Sequence, residues 1–307
     1  MNTKLISMML AACLAGSAWA GEALVQNAIE KNDYTLAFAV AKADVTDGSA
    51  TDITRMLLAQ MYMQGKGTAV DAAAAKELLN PLVAKKIPEA QFMLAGLLQT
   101  EALAGMKTAD GQLDLPRYSQ LAKRSLAERE NERYAAELVY QAAQQGFKMA
   151  IDAVCADLDN SVVGLSTSER AKWYRQCDKE SWAKAVEMGQ SLVPLNMRRE
   201  VLRDPVVGEA YNRAAIKAQC LDENIKPVDF KVSKPVSGGQ YLTLKLDKPL
   251  PYKMVSGQWQ EIWIGQACGQ KFGLPLLFKA DGMGRATFAP DVPPEELESL
   301  IKAALPK

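Results

Sequence analysis

The sequence predicts a mainly helical chain, with helix pairs repeated along residues 21–224 and a small antiparallel β domain at 225–307. Three observations carry this prediction. Residues 22 to about 222 are rich in Ala, Leu, Gln, Glu and Lys at helical spacing, with frequent breaks. Short segments recur within that stretch. From about Pro227 the apolar residues begin to alternate with period two.

The first twenty residues read as an export signal. Met1-Asn2-Thr3-Lys4 is a short positive start, Leu5 to Gly16 is apolar, and Ala18-Trp19-Ala20 supplies the small residues of a cleavage site before Gly21. That apolar run falls short of the roughly 20 residues a spanning helix needs. The alternative is lipidation, because Leu10-Ala11-Ala12-Cys13 resembles a lipobox. No other stretch is long and apolar enough to cross a bilayer. The expected address is therefore the periplasm or the exterior, with no transmembrane anchor.

The repeat is clearest between Leu58-Ala59-Gln60-Met61-Tyr62 and Leu94-Ala95-Gly96-Leu97-Leu98. Between them, Gly65 and Gly67 can end one helix and turn the chain, since glycine tolerates positive φ. Asp71 is placed to cap the alanine-rich helix that follows. The segment 82–90 (LVAKKIPEA) matches 142–150 (AAQQGFKMA), with a weaker echo at 185–193 (AVEMGQSLV). Residues 22–44 read as a leading helix pair.

The pattern LAxMYxxGxG, an acidic cap and an alanine-rich second helix resembles the Sel-one-like repeat family, a branch of the tetratricopeptide-type helix pairs. The likeness is specific over 50–102, weaker at 134–158 and faint at 168–203. The chain departs from the family at an insertion, Ala104 to Pro116, and at Leu158 to Gly164, where a glycine pair should stand. The resemblance implies an α/α superhelical solenoid whose concave face holds a protein or peptide. By position it implicates Arg55, Gln60, Gln91 and Gln99.

In the tail, Tyr241–Leu246, Trp259–Ile264 and Leu274–Lys279 read as strands. Gly238-Gly239, Ser256-Gly257 and Asp281-Gly282 read as turns, and a closing helix is expected at Pro294–Ala304. Trp259 and Trp263 stand four residues apart, so on a strand they share a face. That face is either core or an aromatic platform for a peptide or glycan.

The chemistry left open is narrow. The 307 residues include no histidine, which removes Ser-His-Asp and Cys-His catalysis and His-ligated zinc. With 36 basic and 36 acidic residues there is no surplus for a nucleic acid. Beyond Cys13 stand Cys155, Cys177, Cys220 and Cys268 without a CxxC, an even set that favours disulfides in an exported chain. Three connectivities are open, and the spacing suggests Cys155–Cys177 and Cys220–Cys268. Ser181-x-x-Lys184 has the spacing of a penicillin-recognising nucleophile but lacks its companion motifs. Gly65-Lys66-Gly67-Thr68 is not a phosphate loop. Asp152, Asp157 and Asp159 read as a solvated helix face, and no calcium loop or metal site is encoded. The expectation is a non-enzymatic scaffold that binds an envelope protein and takes no cofactor or small-molecule substrate. The alternative is a cell-wall-directed protein, hydrolytic or centred on Trp259 and Trp263.

Overall fold

The computed structural model describes residues 21–296 and 298, apart from 105, 107, 109, 111, 113, 218 and 221–224. The expected export signal with Cys13 lies outside the described residues, as does most of the expected closing helix, whose first turn begins at Pro294. The chain is mainly helical and ends in a four-stranded antiparallel sheet. Its described residues divide into two compact units, those up to 103 with 141–147 and those of 104–140 with 148 onward, so the composition change at 224/225 falls inside the second unit.

In the first unit the leading helix pair comprises α1 (residues 21–30) and α2 (Tyr34–Asp47), followed by α3 (Asp52–Gln64), α4 (Ala72–Ala84) and α5 (Pro88–Ala104). The starts of α2, α3 and α4 have a chemical cause. Asp33, Thr51 and Asp71 accept bonds from the free amides of Leu36, Thr54 and Ala74. Gly65 ends α3 in the left-handed region, its N–H donating to the Met61 carbonyl. Val25, Ala28, Ala37, Ala41, Leu58 and Met61 form the core of the first helices.

Gly67 is more constrained than Gly48. Its φ is +71°, and a Cβ there would sit 2.1 Å from the Tyr34 carbonyl oxygen, whereas one at Gly48 (φ +84°) would meet nothing within 4 Å. Gly67→Ala is therefore expected to cost about 1–3 kcal/mol for its backbone alone, with the clash added. Gly48→Ala carries only the backbone cost. Urea denaturation of the two variants checks the order.

One helix-to-helix corner recurs. Asn32, Lys86, Gly146 and Asp178 all have positive φ. In each case the next residue donates its N–H to the carbonyl five residues back: Asp33 to Ala28, Ile87 to Leu82, Phe147 to Ala142 and Lys179 to Tyr174. All four carbonyl residues are buried. The expected match of 82–90 with 142–150 is this corner. The third copy in sequence order after Lys86 and Gly146 is at 174–179, not at the echo 185–193, which runs from α10 through Gly189 toward α11.

In the second unit a short helix α6 (Leu115–Gln120) leads to α7 (Glu130–Gln144), whose last turn belongs to the first unit, and then to α8 (Lys148–Asn160). After α8 the stretch that replaces a glycine pair runs against the sheet, with Val162 N–H donating to Gly284 O and Gly164 N–H to Pro251 O. Four helices follow: α9 (Thr167–Gln176), α10 (Glu180–Glu187), α11 (Leu195–Arg203) and α12 (Pro205–Lys217). A Ser166/Glu169 capping box starts α9.

The strands β1 (Lys226–Leu244), β2 (Leu250–Ala267), β3 (Gln270–Ala280) and β4 (Ala286–Pro290) form a meander in chain order. Asp281-Gly282 is a turn as expected; Asp281 Oδ1 accepts from Met283 and Arg285 N–H. Gly238-Gly239 and Ser256-Gly257 are not chain reversals. They face each other inside the long β1–β2 ribbon, where the register shifts between Ser237↔Gln258 and Gln240↔Ser256. The β2–β3 reversal is Cys268-Gly269, both at positive φ, joining Ala267 to Gln270 in a two-residue hairpin.

Both cysteine pairs suggested by the spacing stand at disulfide distance, with Cα atoms 6.7 Å apart for Cys155–Cys177 and 5.8 Å for Cys220–Cys268. They fit an oxidising, exported compartment. Among the described residues no helix is long and apolar enough to cross a membrane.

Candidate functional site

A cleft of about 390 Å³ opens within the first unit, and helical periodicity builds it. α2 contributes Lys42, Val45 and Thr46, α3 contributes Arg55, Leu58 and Tyr62, and α4 contributes Ala74, Glu77, Leu78 and Pro81. On each helix these positions fall at offsets of three, four or seven from the first (42/45/46, 55/58/62, 74/77/78/81), so each set lies on one face. Leu58 is buried at the floor, and the Tyr62 ring meets Phe38 edge-on at 5.3 Å. Charge sits on the rim. Lys42 lies over Phe38 at 5.6 Å, and Arg55 stands 3.7 Å from Asp52, which Lys85 also holds. The result is an apolar trough with two cations and Glu77 around it.

The four expected helix candidates divide. Arg55 lines the cleft. Gln60 and Gln99 are exposed and lie outside it. Gln91 is corrected: its side chain is buried, donating to Gln141 Oε1 at 2.8 Å and accepting from Gln145 Nε2 at 2.8 Å. A buried amide with both ends satisfied holds helices in register and is not open to a ligand.

Trp259 and Trp263 do share a face, and it is the core face, so of the two readings core packing holds and their candidacy as a binding platform is corrected. Both rings are no more than 1% exposed. Trp259 stacks on its cross-strand partner Phe278 at 5.3 Å, and Trp263 meets its partner Phe230 edge-on at 4.9 Å. The same core takes Met197, Val201, Val207 and Tyr211 from α11 and α12, with the Tyr211 hydroxyl donating to Trp263 O.

Between the two tryptophans stands the polar residue that sequence reasoning missed. Glu261 is fully buried. Its Oε1 accepts from Trp259 Nε1 (2.9 Å) and from the Leu192 N–H (2.8 Å), and its Oε2 accepts from Trp263 Nε1 (2.8 Å). Its negative charge acts on two buried guanidinium groups, Arg170 and Arg198. Arg170 donates to Ser191 O, and Arg198 to Val193 O and Ala185 O. Burial lowers both arginines, Arg198 to about 10, and Glu261 opposes that drop. The signal was present in Trp-x-Glu-x-Trp, where period two forces the carboxylate onto the tryptophan face.

A second polar group surrounds Asp157, which was expected to be solvated. The Tyr252 hydroxyl donates to Asp157 Oδ2 at 2.9 Å, and neighbouring Lys253 binds Glu132 at 3.1 Å. Burial raises the Asp157 carboxyl, opposed by Lys253 and by the Tyr252 hydrogen bond. A raised folded value means that stability is fully present below the unfolded value of about 3.9 and is lost as pH rises through the folded one. Asp157→Asn, which still accepts from Tyr252, is expected to melt at or above wild type at pH 7, with the gap closing toward pH 4. Melting curves across that range check it; a variant weaker only at neutral pH would contradict the sign.

Ser181 and Lys184 are both exposed, and among the described residues no hydrogen bond joins them. Comparisons of this chain with protein-family models, with curated proteins and with solved structures gave no match.

Proposed function

We propose that the chain is an exported, periplasmic, non-enzymatic scaffold of the Sel-one-like repeat type that holds a segment of an envelope protein in the α2–α3–α4 cleft. The observation that carries this reading is the cleft itself, an apolar trough of about 390 Å³ with Arg55 and Lys42 on its rim. Apolar stripes on neighbouring helices suit the side chains of a docked segment, and rim charges set which segment is accepted. The recurring corner supports a repeat origin, and the two disulfides support export. The burial of Trp259 and Trp263 leaves the wall-directed reading without its binding surface.

Affinity capture of the mature protein from envelope extract tests the proposal, with Lys42→Glu/Arg55→Glu as the comparison. Both side chains reach solvent, so the double variant is expected to keep its fold. A stoichiometric envelope protein retained by wild type and lost from the variant is the expected result. Equal retention by both, or no retained protein, overturns it.

A further inference from the structure

The second unit carries a cleft that the scaffold reading does not use. Trp182, Met188, Leu195, Leu202 and Phe230, from α10, its C-terminal end, α11 and β1, enclose about 260 Å³. That is below the roughly 300–1,000 Å³ typical of sites for whole small molecules, and it suits one large side chain with its flanking backbone. Met188 and Leu202 stand 40% and 36% exposed at its edge, so part of the apolar lining is open to solvent.

The charge around this cleft is one-sided. Arg198 and Arg199 line it, and no acidic residue does. Arg198 is spent on backbone carbonyls. Arg199 is exposed, with its guanidinium over the Trp182 ring at 4.5 Å; Lys179 approaches the same ring at 4.8 Å but is paired with Asp159 at 3.0 Å. Among the described residues Arg199 has no acidic partner. A carboxylate arriving beside Trp182 gains a charge-assisted bond from Arg199 at the edge of an apolar wall.

We propose that this cleft docks an acidic-apolar stretch of a partner protein, with a leucine or phenylalanine side chain against Trp182 and a neighbouring aspartate or glutamate on Arg199. Charge complementarity selects the acidic neighbour, and the cleft's size selects a side chain over a longer acyl chain. Arg199 is exposed, so Arg199→Gln removes its contact with the Trp182 ring but disturbs no buried side chain of α11, and the Arg55 cleft in the other unit is untouched.

The test uses the whole mature protein and dye-labelled peptides blocked at both ends, followed by fluorescence anisotropy. The probes carry Asp-Leu-Phe, Asn-Leu-Phe or Asp-Ala-Ala at their centre. Asp-Leu-Phe is expected to bind at least ~10-fold more tightly than either relative. Arg199→Gln is expected to remove the Asp-over-Asn preference while keeping the preference for Leu-Phe. Equal binding of the three peptides, no binding at ~1 mM, or an Asp preference that survives Arg199→Gln overturns the proposal. So does retention on phosphatidylglycerol vesicles without peptide binding. Each of these failures leaves the Arg55 cleft to be judged by its own variant.

Discussion

Glu261→Ala is expected to destabilise the second unit by about 3–5 kcal/mol, the usual cost of removing one partner from a buried charged group. The carboxylate satisfies three donors, the indoles of Trp259 and Trp263 and the N–H of Leu192. Alanine strands all three in the core and leaves Arg170 and Arg198 without the buried negative charge that opposes their desolvation. Glu261→Gln with its oxygen in the Oε1 position keeps the acceptor for Trp259 and Leu192 but turns an amide donor on the Trp263 indole and drops the charge, so an intermediate loss is expected. Urea denaturation followed by tryptophan emission reads the effect directly, since two of its reporters are the residues concerned. An alanine variant with the wild-type midpoint would mean that the cluster holds nothing together.

Reduction of the disulfides is the second large effect. Cys155–Cys177 and Cys220–Cys268 span sequence separations of 22 and 48. Loop closure of that length is worth about 3–4 kcal/mol each. Cys155–Cys177 joins α8 to the end of α9, and Cys220–Cys268 ties the end of α12 to the β2–β3 hairpin. Both pairs lie in the second unit, and for a unit of that size each is expected to hold up the melting temperature by about 5–10 °C. Cys155→Ser/Cys177→Ser and Cys220→Ser/Cys268→Ser separate the two contributions. A thiol titration of the unreduced mature protein should find none of the four free, and an unchanged melting curve on reduction would contradict the pairing.

What was legible in the sequence was local. The Asp71 cap, the Gly65 helix end and the change to strands follow from residues that set their own backbone, and the two cysteine pairs follow from an even set of four in chain order. The recurring corner was harder to read because Asn32, Lys86, Gly146 and Asp178 all fill its left-handed position, so residue identity does not mark it. A glycine pair encodes positive φ but not whether the chain reverses. Gly238-Gly239 became a bulge because β2 continues alongside it. Alternation placed Trp259 and Trp263 together without saying which face was inside; α11 and α12 decide that. Gln91 is buried because its partners Gln141 and Gln145 stand fifty or more positions away. Of the site, Arg55 was legible through the repeat, while the rest of the trough needed α2 and α4 to be seen against α3.

The central claim is that a partner protein lies in the α2–α3–α4 cleft, and site-directed photocrosslinking in living cells tests it most directly. A photoreactive residue at Thr46, exposed on the cleft, is compared with one at Gln60 and one at Gln99, both exposed outside it. The account expects one discrete envelope-protein adduct from Thr46 that is absent from Gln60 and Gln99. No adduct from Thr46, or the same adducts from all three positions, would contradict it.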